Sequence, residues 1–268
     1  VRPISATAPA SAYAAHRMHP SLFGKEFREE WADPRFLSLV EHFRGKQETS
    51  DSSFTEPLFS HSGSAGSMPH FLEGLPLSEW DMKVEMRNVY SFPCFHPQFM
   101  SMINEEIQNF QEVAEKLSIS YRKPNTMNNF GVILNDIGMK DVLSDFQRRF
   151  ILPLSRCLYP EEGEYLHDHH SFIVQYCAEG DKGLGMHKDD SEVTLNVCLG
   201  HDFTGALLRF GRTSLVPSIR DQPLLLYQHE VGRGLLHLGN QLHGAEDIAS
   251  GERVNLIIWS KNNKWRNF

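Results

Sequence analysis

Long apolar runs are missing from this sequence. Nothing approaches the roughly 18 consecutive apolar residues of a membrane-crossing helix, and the aliphatic stretches at 224–226 and 256–258 are strand-sized. Paired cysteines are missing too: Cys94, Cys157, Cys177 and Cys198 stand far apart, with no CxxC. That spacing excludes a disulfide scaffold and a zinc ribbon, and it fits a reducing compartment, cytoplasm or nucleus. Positive charge is scarce, since 26 Lys and Arg against 34 Asp and Glu leave a formal net charge of −8. So acidic a chain argues against non-specific nucleic-acid binding. No internal repeat is visible. Residues 1–25 hold no acidic residue, only Arg2, Arg17 and Lys25 among Ala and Ser, and read as a disordered arm rather than a transit peptide.

What is present suffices for a core. Apolar residues make up 40 % of 268 positions, enough for one large domain or two small ones. Asp33-Pro34 predicts a short helix with an N-cap and a proline in its first turn, closed by Gly45. Residues 48–67 follow, and seven of these twenty are Ser, the composition of a flexible linker. Residues 1–75 therefore read as a mobile N-terminal arm with one short helix and a Ser-rich linker. Residues 76–160 read as a helical support region. Phe99, Ile103, Ile107, Phe110, Ala114 and Leu117 share one helical face over 97–117. A second helix is predicted over 141–158, interrupted by Pro153.

From residue 161 to 268 the texture is β-rich. Short runs at 172–177, 193–199, 206–210, 224–227, 234–238 and 253–259 alternate with Gly-rich turns, as in a sandwich or barrel. Strand parity separates Val193, Leu195, Val197 and Leu199 from Thr194, Asn196 and Cys198. It also separates Val254, Leu256 and Ile258 from Arg253, Asn255, Ile257 and Trp259. The apolar parity suits packing against helices; the mixed parity suits a lumen that holds a polar ligand.

His187-Lys188-Asp189 stands just before the 193–199 strand, and in an extended segment His187 and Asp189 project together. His243 lies in Gln241-Leu242-His243-Gly244-Ala245, and Arg253 opens a strand ten residues later. Two imidazoles and one carboxylate form a facial triad suited to iron(II), leaving positions open for a 2-oxo acid and dioxygen. An arginine supplies the bidentate grip that the far carboxylate of such an acid needs. Zinc on the same ligands stays open.

These elements resemble the 2-oxoglutarate and iron(II)-dependent dioxygenases, in their prolyl/lysyl hydroxylase-like branch. The blocks 123–131 (Lys-Pro-Asn-Thr-Met-Asn-Asn-Phe-Gly), 192–197 (Glu-Val-Thr-Leu-Asn-Val), Phe203-Thr204-Gly205 and 241–245 carry the resemblance more finely, over roughly 90–262. It implies a double-stranded β-helix core, mainly β with supporting helices. It implies His187, Asp189 and His243 as metal ligands, and Arg253 on the distal carboxylate of 2-oxoglutarate, with Asn196 and Tyr176 beside that co-substrate. It implies hydroxylation of a C–H bond, with a peptidyl side chain as the leading substrate and a small metabolite second, and release of succinate and CO2. Ascorbate as a reductant comes by resemblance alone. No residue beyond the metal site is nominated for catalysis. Ala206 departs from the pattern where a second glycine is usual, and is expected to fit with a negative φ. Two other readings stay open: a degenerate interaction module without turnover, and a zinc or nickel hydrolase.

The remaining histidines read as bystanders: 167–170 as a solvated turn, His229 and Glu230 as an exposed strand end, and His237 as a hydrogen-bonded core residue. Asp190 reads as a solvated loop carboxylate, and Cys177 and Cys198 as small buried groups. The loops 178–186 and 211–222 are expected at the mouth of the barrel.

Overall fold

The computed structural model describes residues 8–50, 72–200, 202–211 and 224–266. Among them no helix is long and apolar enough to cross a membrane. The chain folds as two β-sheets facing each other, with helices on the outer face of the larger one. The α-helices among the described residues are α1 (Ala8–Tyr13), α2 (Pro34–Ser50), α3 (Pro97–Leu117), α4 (Leu134–Ile137), α5 (Lys140–Phe146), α6 (Leu152–Leu158) and α7 (Asn263–Arg266). The strands are β1 (Lys83–Met86), β2 (Val89–Pro93), β3 (Gly131–Ile133), β4 (Asp168–Cys177), β5 (Leu184–His187), β6 (Val193–Gly200), β7 (Phe203–Gly205), β8 (Leu208–Phe210), β9 (Leu225–Tyr227), β10 (Arg233–Leu238), β11 (His243–Ala245) and β12 (Ile248–Lys261).

The major sheet runs β1-β2-β10-β6-β12-β4-β3 with β7 added to β12; the minor sheet runs β5-β11-β8-β9. Followed along the chain, β4 is major, β5 minor, β6 major, β8 and β9 minor, β10 major, β11 minor and β12 major. This winding between two sheets is the double-stranded β-helix that the family resemblance implies.

Side-chain alternation decides which face does what. Val193, Leu195, Val197, Leu199, Val254, Leu256 and Ile258 join the large core shared with the helices. Thr194, Asn196, Arg253, Asn255, Ile257 and Trp259 line the cleft between the sheets. Helix α3 spans the predicted residues. His96 caps it, accepting from Gln98 N, and Ser118 ends it in the left-handed region (φ 54°). Phe99, Ile103, Ile107, Phe110 and Ala114 are its buried face.

The second predicted helix is interrupted as expected, in an instructive way. Between α5 and α6 lies a π turn, Gln147–Ile151. Pro153 has no N–H for the carbonyl of Arg149 four residues back. That oxygen instead accepts from Arg44 Nη2 of α2 at 2.7 Å.

Three boundaries differ from the sequence reading. Helix α2 continues through Gly45 to Ser50, because one exposed glycine costs only about 1 kcal/mol and does not end a helix. The linker beyond it, from 51 onward, lies outside the described residues. The support region 76–160 opens with strands, β1 and β2, and β2 pairs with β10. All five residues of β2 are buried, so it shows no alternation to read.

The third difference is the largest. Residues 8–45 are not a mobile arm but part of the core. Tyr13, Leu22, Phe27 and Trp31 are at most 3 % exposed. Phe27 meets the rings of Phe99, Phe146 and Phe150 at 5.2, 4.6 and 5.4 Å, and its backbone N–H donates to Asp145 Oδ2 at 3.0 Å. Tyr13 ends a short helix, Phe27 lies in irregular chain and Trp31 ends a 3-10 turn, so together they carry no helical or strand period.

Candidate metal centre

His187 closes β5 and His243 opens β11, and the antiparallel register sets the two directly opposite each other. Their rings stand 4.3 Å apart, centre to centre. Asp189 follows in the turn after β5, with its N–H donated to Gly239 O at 2.9 Å. Residue 239 has to be glycine here, since a Cβ would lie 2.0 Å from the carbonyl oxygen of Ser191.

Each imidazole holds its Nδ1 against a carbonyl, His187 on Gly185 and His243 on Gln241, both at 2.8 Å. A carbonyl only accepts, so Nδ1 carries the hydrogen and a bare Nε2 faces inward when the ring is neutral. Both Nε2 atoms point at Asp189 Oδ1, at 3.4 and 3.6 Å. The three ligating atoms lie within 4.8 Å of one another. Two donors bound about 2.1 Å from a first-row ion, at right angles, would be about 3 Å apart. Three acceptors turned on one point call for a proton or a cation between them. A divalent ion with a preference for imidazole and carboxylate fits.

Local electrostatics favour the ligating forms of Asp189 and His243 and oppose that of His187. Burial pushes the Asp189 carboxyl up, but His243, the His187 bond, His237 and the Thr194 bond outweigh it and bring it down to about 2. Burial brings His243 down to about 4. At the more open His187, burial also lowers the pKa, but bonds to Asp189 and Gly185 outweigh it, and the net shift is upward. Asp189 uses its second oxygen to accept from Thr194 Oγ1 at 2.7 Å, and Ser191 Oγ lies 2.7 Å from the same hydroxyl.

The same cleft contains Arg253. It is 2 % exposed, and among the described residues no carboxylate pairs with it. Its Nη1 donates to Ala206 O, its Nε has no partner, and its guanidinium carbon stands 4.4 Å over the ring of Tyr176. Tyr176 is its cross-strand neighbour on β4. A buried cation without an anion is costly unless a ligand supplies one. Asn196 lies on the same wall, where its Oδ1 accepts from Asn255 Nδ2 at 2.6 Å.

All six residues nominated from the sequence therefore line one cleft. Several expectations nearby are corrected. Ala206 has φ +52°, not negative; its strained backbone aims the carbonyl that Arg253 grips. His229 is 6 % exposed, not a solvated strand end, with Nδ1 3.5 Å from Asn255 Nδ2. His169 sits in β4, buried between Ser144 Oγ (3.0 Å) and Ser171 Oγ (2.7 Å), not in a solvated turn. His237 is the buried, hydrogen-bonded residue expected, its Nδ1 on Leu238 O. Of the two mouth loops, 178–186 is described and 212–222 is not. The sequence reading missed Thr194 as the prop of Asp189, although its parity placed it in the lumen. It also gave no role to Asn125 and Asn128, which line the cleft.

Residues 77–164 match the family described as OGFOD2-like domain. The mouse 2-oxoglutarate and iron-dependent oxygenase domain-containing protein 2 is 41 % identical over 198 residues, 73 % of this chain and 55 % of the relative. The Arabidopsis thaliana 2-oxoglutarate and iron-dependent oxygenase domain-containing protein ICU11 is 35 % identical over 248 residues, 90 % of this chain and 59 % of the relative. The chain thus spans little more than half the length of these relatives. Among solved structures, a prolyl 4-hydroxylase from Phytophthora capsici is 17 % identical with a TM-score of 0.49, covering 68 % of this chain and 61 % of that one.

Proposed function

We propose, from the match of residues 77–164 to the OGFOD2-like domain family and the similarity to the 2-oxoglutarate and iron-dependent oxygenase domain-containing proteins, that this chain is an Fe(II)- and 2-oxoglutarate-dependent dioxygenase that hydroxylates a C–H bond. The observation that carries this reading is Arg253, a buried cation without an anionic partner, in the cleft where three acceptors converge. A hydrolase built on the same three ligands has no use for that cation.

Iron(II), when bound with 2-oxoglutarate and dioxygen, supplies the oxidation: one oxygen atom goes to the substrate and one to succinate, with release of CO2. His187, Asp189 and His243 would hold the metal. Thr194 donates to Asp189 Oδ2 and would leave Oδ1, which faces the two histidines, for the metal. Arg253 takes the distal carboxylate with Tyr176 beside it, and Asn196 lines the wall between. Phe172, Ile257 and Trp259 give the lumen an apolar wall. The reaction removes no proton in its difficult step, so the chain needs no general base.

The primary substrate in this reading is a peptidyl side chain. Strand β5 is an edge of the minor sheet and carries His187 at its end. Gly185 and Met186 are exposed there. An extended peptide laid along that edge brings a side chain to the metal.

The test is an anaerobic titration of metal-free protein with iron(II) and then 2-oxoglutarate, followed by visible absorption. A metal-to-keto-acid band supports the reading; its absence from folded protein at every concentration overturns it. Succinate release stimulated by peptides, and not by a panel of small metabolites, separates the two substrate classes.

A further inference from the structure

The rim of the cleft carries a chain of hydrogen bonds whose direction is fixed from one end. Asn125 Oδ1 accepts from the backbone N–H groups of Met127 and Asn128, at 2.8 and 2.7 Å. A backbone N–H can only donate, so the oxygen of Asn125 is identified and its amide nitrogen faces the other way. That nitrogen donates to Asn128 Oδ1 at 3.1 Å. Turning the Asn128 amide over would set two NH2 groups against each other. Asn128 Nδ2 therefore donates to Tyr176 Oη, at 3.2 Å. The other group against Tyr176 is the Arg253 guanidinium, which has only donors. Among the described residues, no protein acceptor remains for the Tyr176 hydroxyl hydrogen. Asp181 holds the rim in place, accepting from Asn129 N, Phe130 N and Asn129 Nδ2 at 2.6, 3.2 and 2.9 Å.

Resting on the dioxygenase reading above, we propose that Asn125 and Asn128 are positioning residues that orient the Tyr176 hydroxyl so that it donates into the cleft, and thereby set the preference for a 2-oxo acid that ends in a second carboxylate. A tyrosine hydroxyl without the relay accepts as readily as it donates, and would welcome a hydroxyl or amide terminus. With it, Tyr176 and Arg253 present donors only, and the ligand terminus has to be an acceptor carrying negative charge.

The substitution Asn125→Asp tests this from a distance. It keeps the oxygen that caps the turn but replaces the amide nitrogen with a second acceptor. That acceptor draws the Asn128 amide round, leaves its oxygen facing Tyr176, and captures the hydroxyl hydrogen. Binding is read under argon from the absorption band of the iron(II)-loaded protein. The ligands are 2-oxoglutarate and 2-oxopentanoate, which has a methyl group where the second carboxylate stands. N125D is expected to weaken 2-oxoglutarate about tenfold, the loss of one charge-assisted hydrogen bond, and to leave 2-oxopentanoate unchanged. In a Tyr176→Phe background N125D should add nothing. Equal weakening of both acids, an undiminished effect in Y176F, or no effect on 2-oxoglutarate overturns the relay. A wild-type protein with no 2-oxoglutarate band overturns instead the reading on which the relay rests.

Discussion

At one end of the cleft, His187, Asp189 and His243 turn three acceptor atoms on one another within 4.8 Å. At the other end, Arg253 lies 2 % exposed with no carboxylate among its described neighbours. One end lacks a cation and the other an anion. Either deficit alone would be a costly burial, because an uncompensated charge in a dry interior is worth several kcal/mol. The propping differs to match. The metal end is held by strand register, a glycine contact and Thr194. The arginine end is held by the Ala206 carbonyl and the face of Tyr176. A ligand that chelates a metal with one terminus and carries a carboxylate at the other satisfies both ends together.

If the two ends are separable, breaking one should spare the other. The largest effect is expected from His243→Ala, which should weaken iron(II) binding by more than about a hundredfold. Calorimetric metal titration checks it, and binding within tenfold of wild type would refute the ligand assignment. Next comes Arg253→Met. It should weaken 2-oxoglutarate by about a hundredfold, the cost of losing one partner of a buried charged pair, and leave metal affinity within a factor of about three. A parallel loss of metal would mean that the ends are one unit.

Thr194→Val should lower metal affinity about tenfold, as outer partners of ligands do, without changing the ratio of 2-oxoglutarate to 2-oxopentanoate binding. Proton competition gives a similar size. Because Asp189 raises the His187 pKa above the ordinary 6.5, a metal must displace a proton from His187 below that raised value. Metal affinity should then fall with acidity by up to about tenfold per pH unit, steepening again only as pH nears the His243 pKa of about 4. A flat profile between pH 8 and 5.5 would place the metal elsewhere. The smallest effect is Ala206→Gly. Relief of a left-handed alanine should stabilise the fold by about 1 kcal/mol in urea unfolding, with 2-oxoglutarate binding unchanged.

Much of this architecture was legible in residues 193–199 and 253–259. There a period of two sorts core from lumen, so sequence alone places Asn196 and Arg253 in the cleft. His187, Asp189 and His243 were legible by type and spacing, but their juxtaposition depends on β5 pairing with β11, which is a long-range register. Ala206 was misjudged because its φ goes with long-range contacts, its N–H to Asp247 O and its carbonyl to Arg253, that no sequence period reveals. Tyr13, Phe27 and Trp31 were misjudged for a different reason. Aromatic side chains docked through irregular turns leave no period, and their partners Phe99 and Phe146 lie far along the chain.

The pairing of His187 with His243 across two strands also says where this protein can tolerate change. Because alternate residues face opposite ways, gaining or losing one residue within β5 would swing His187 out of the lumen and Met186 or Lys188 in. The same insertion between β8 and β9 changes neither histidine's facing. Length variation among homologous chains should accordingly pile up in the connection after β8 and vanish between Leu184 and Asp189.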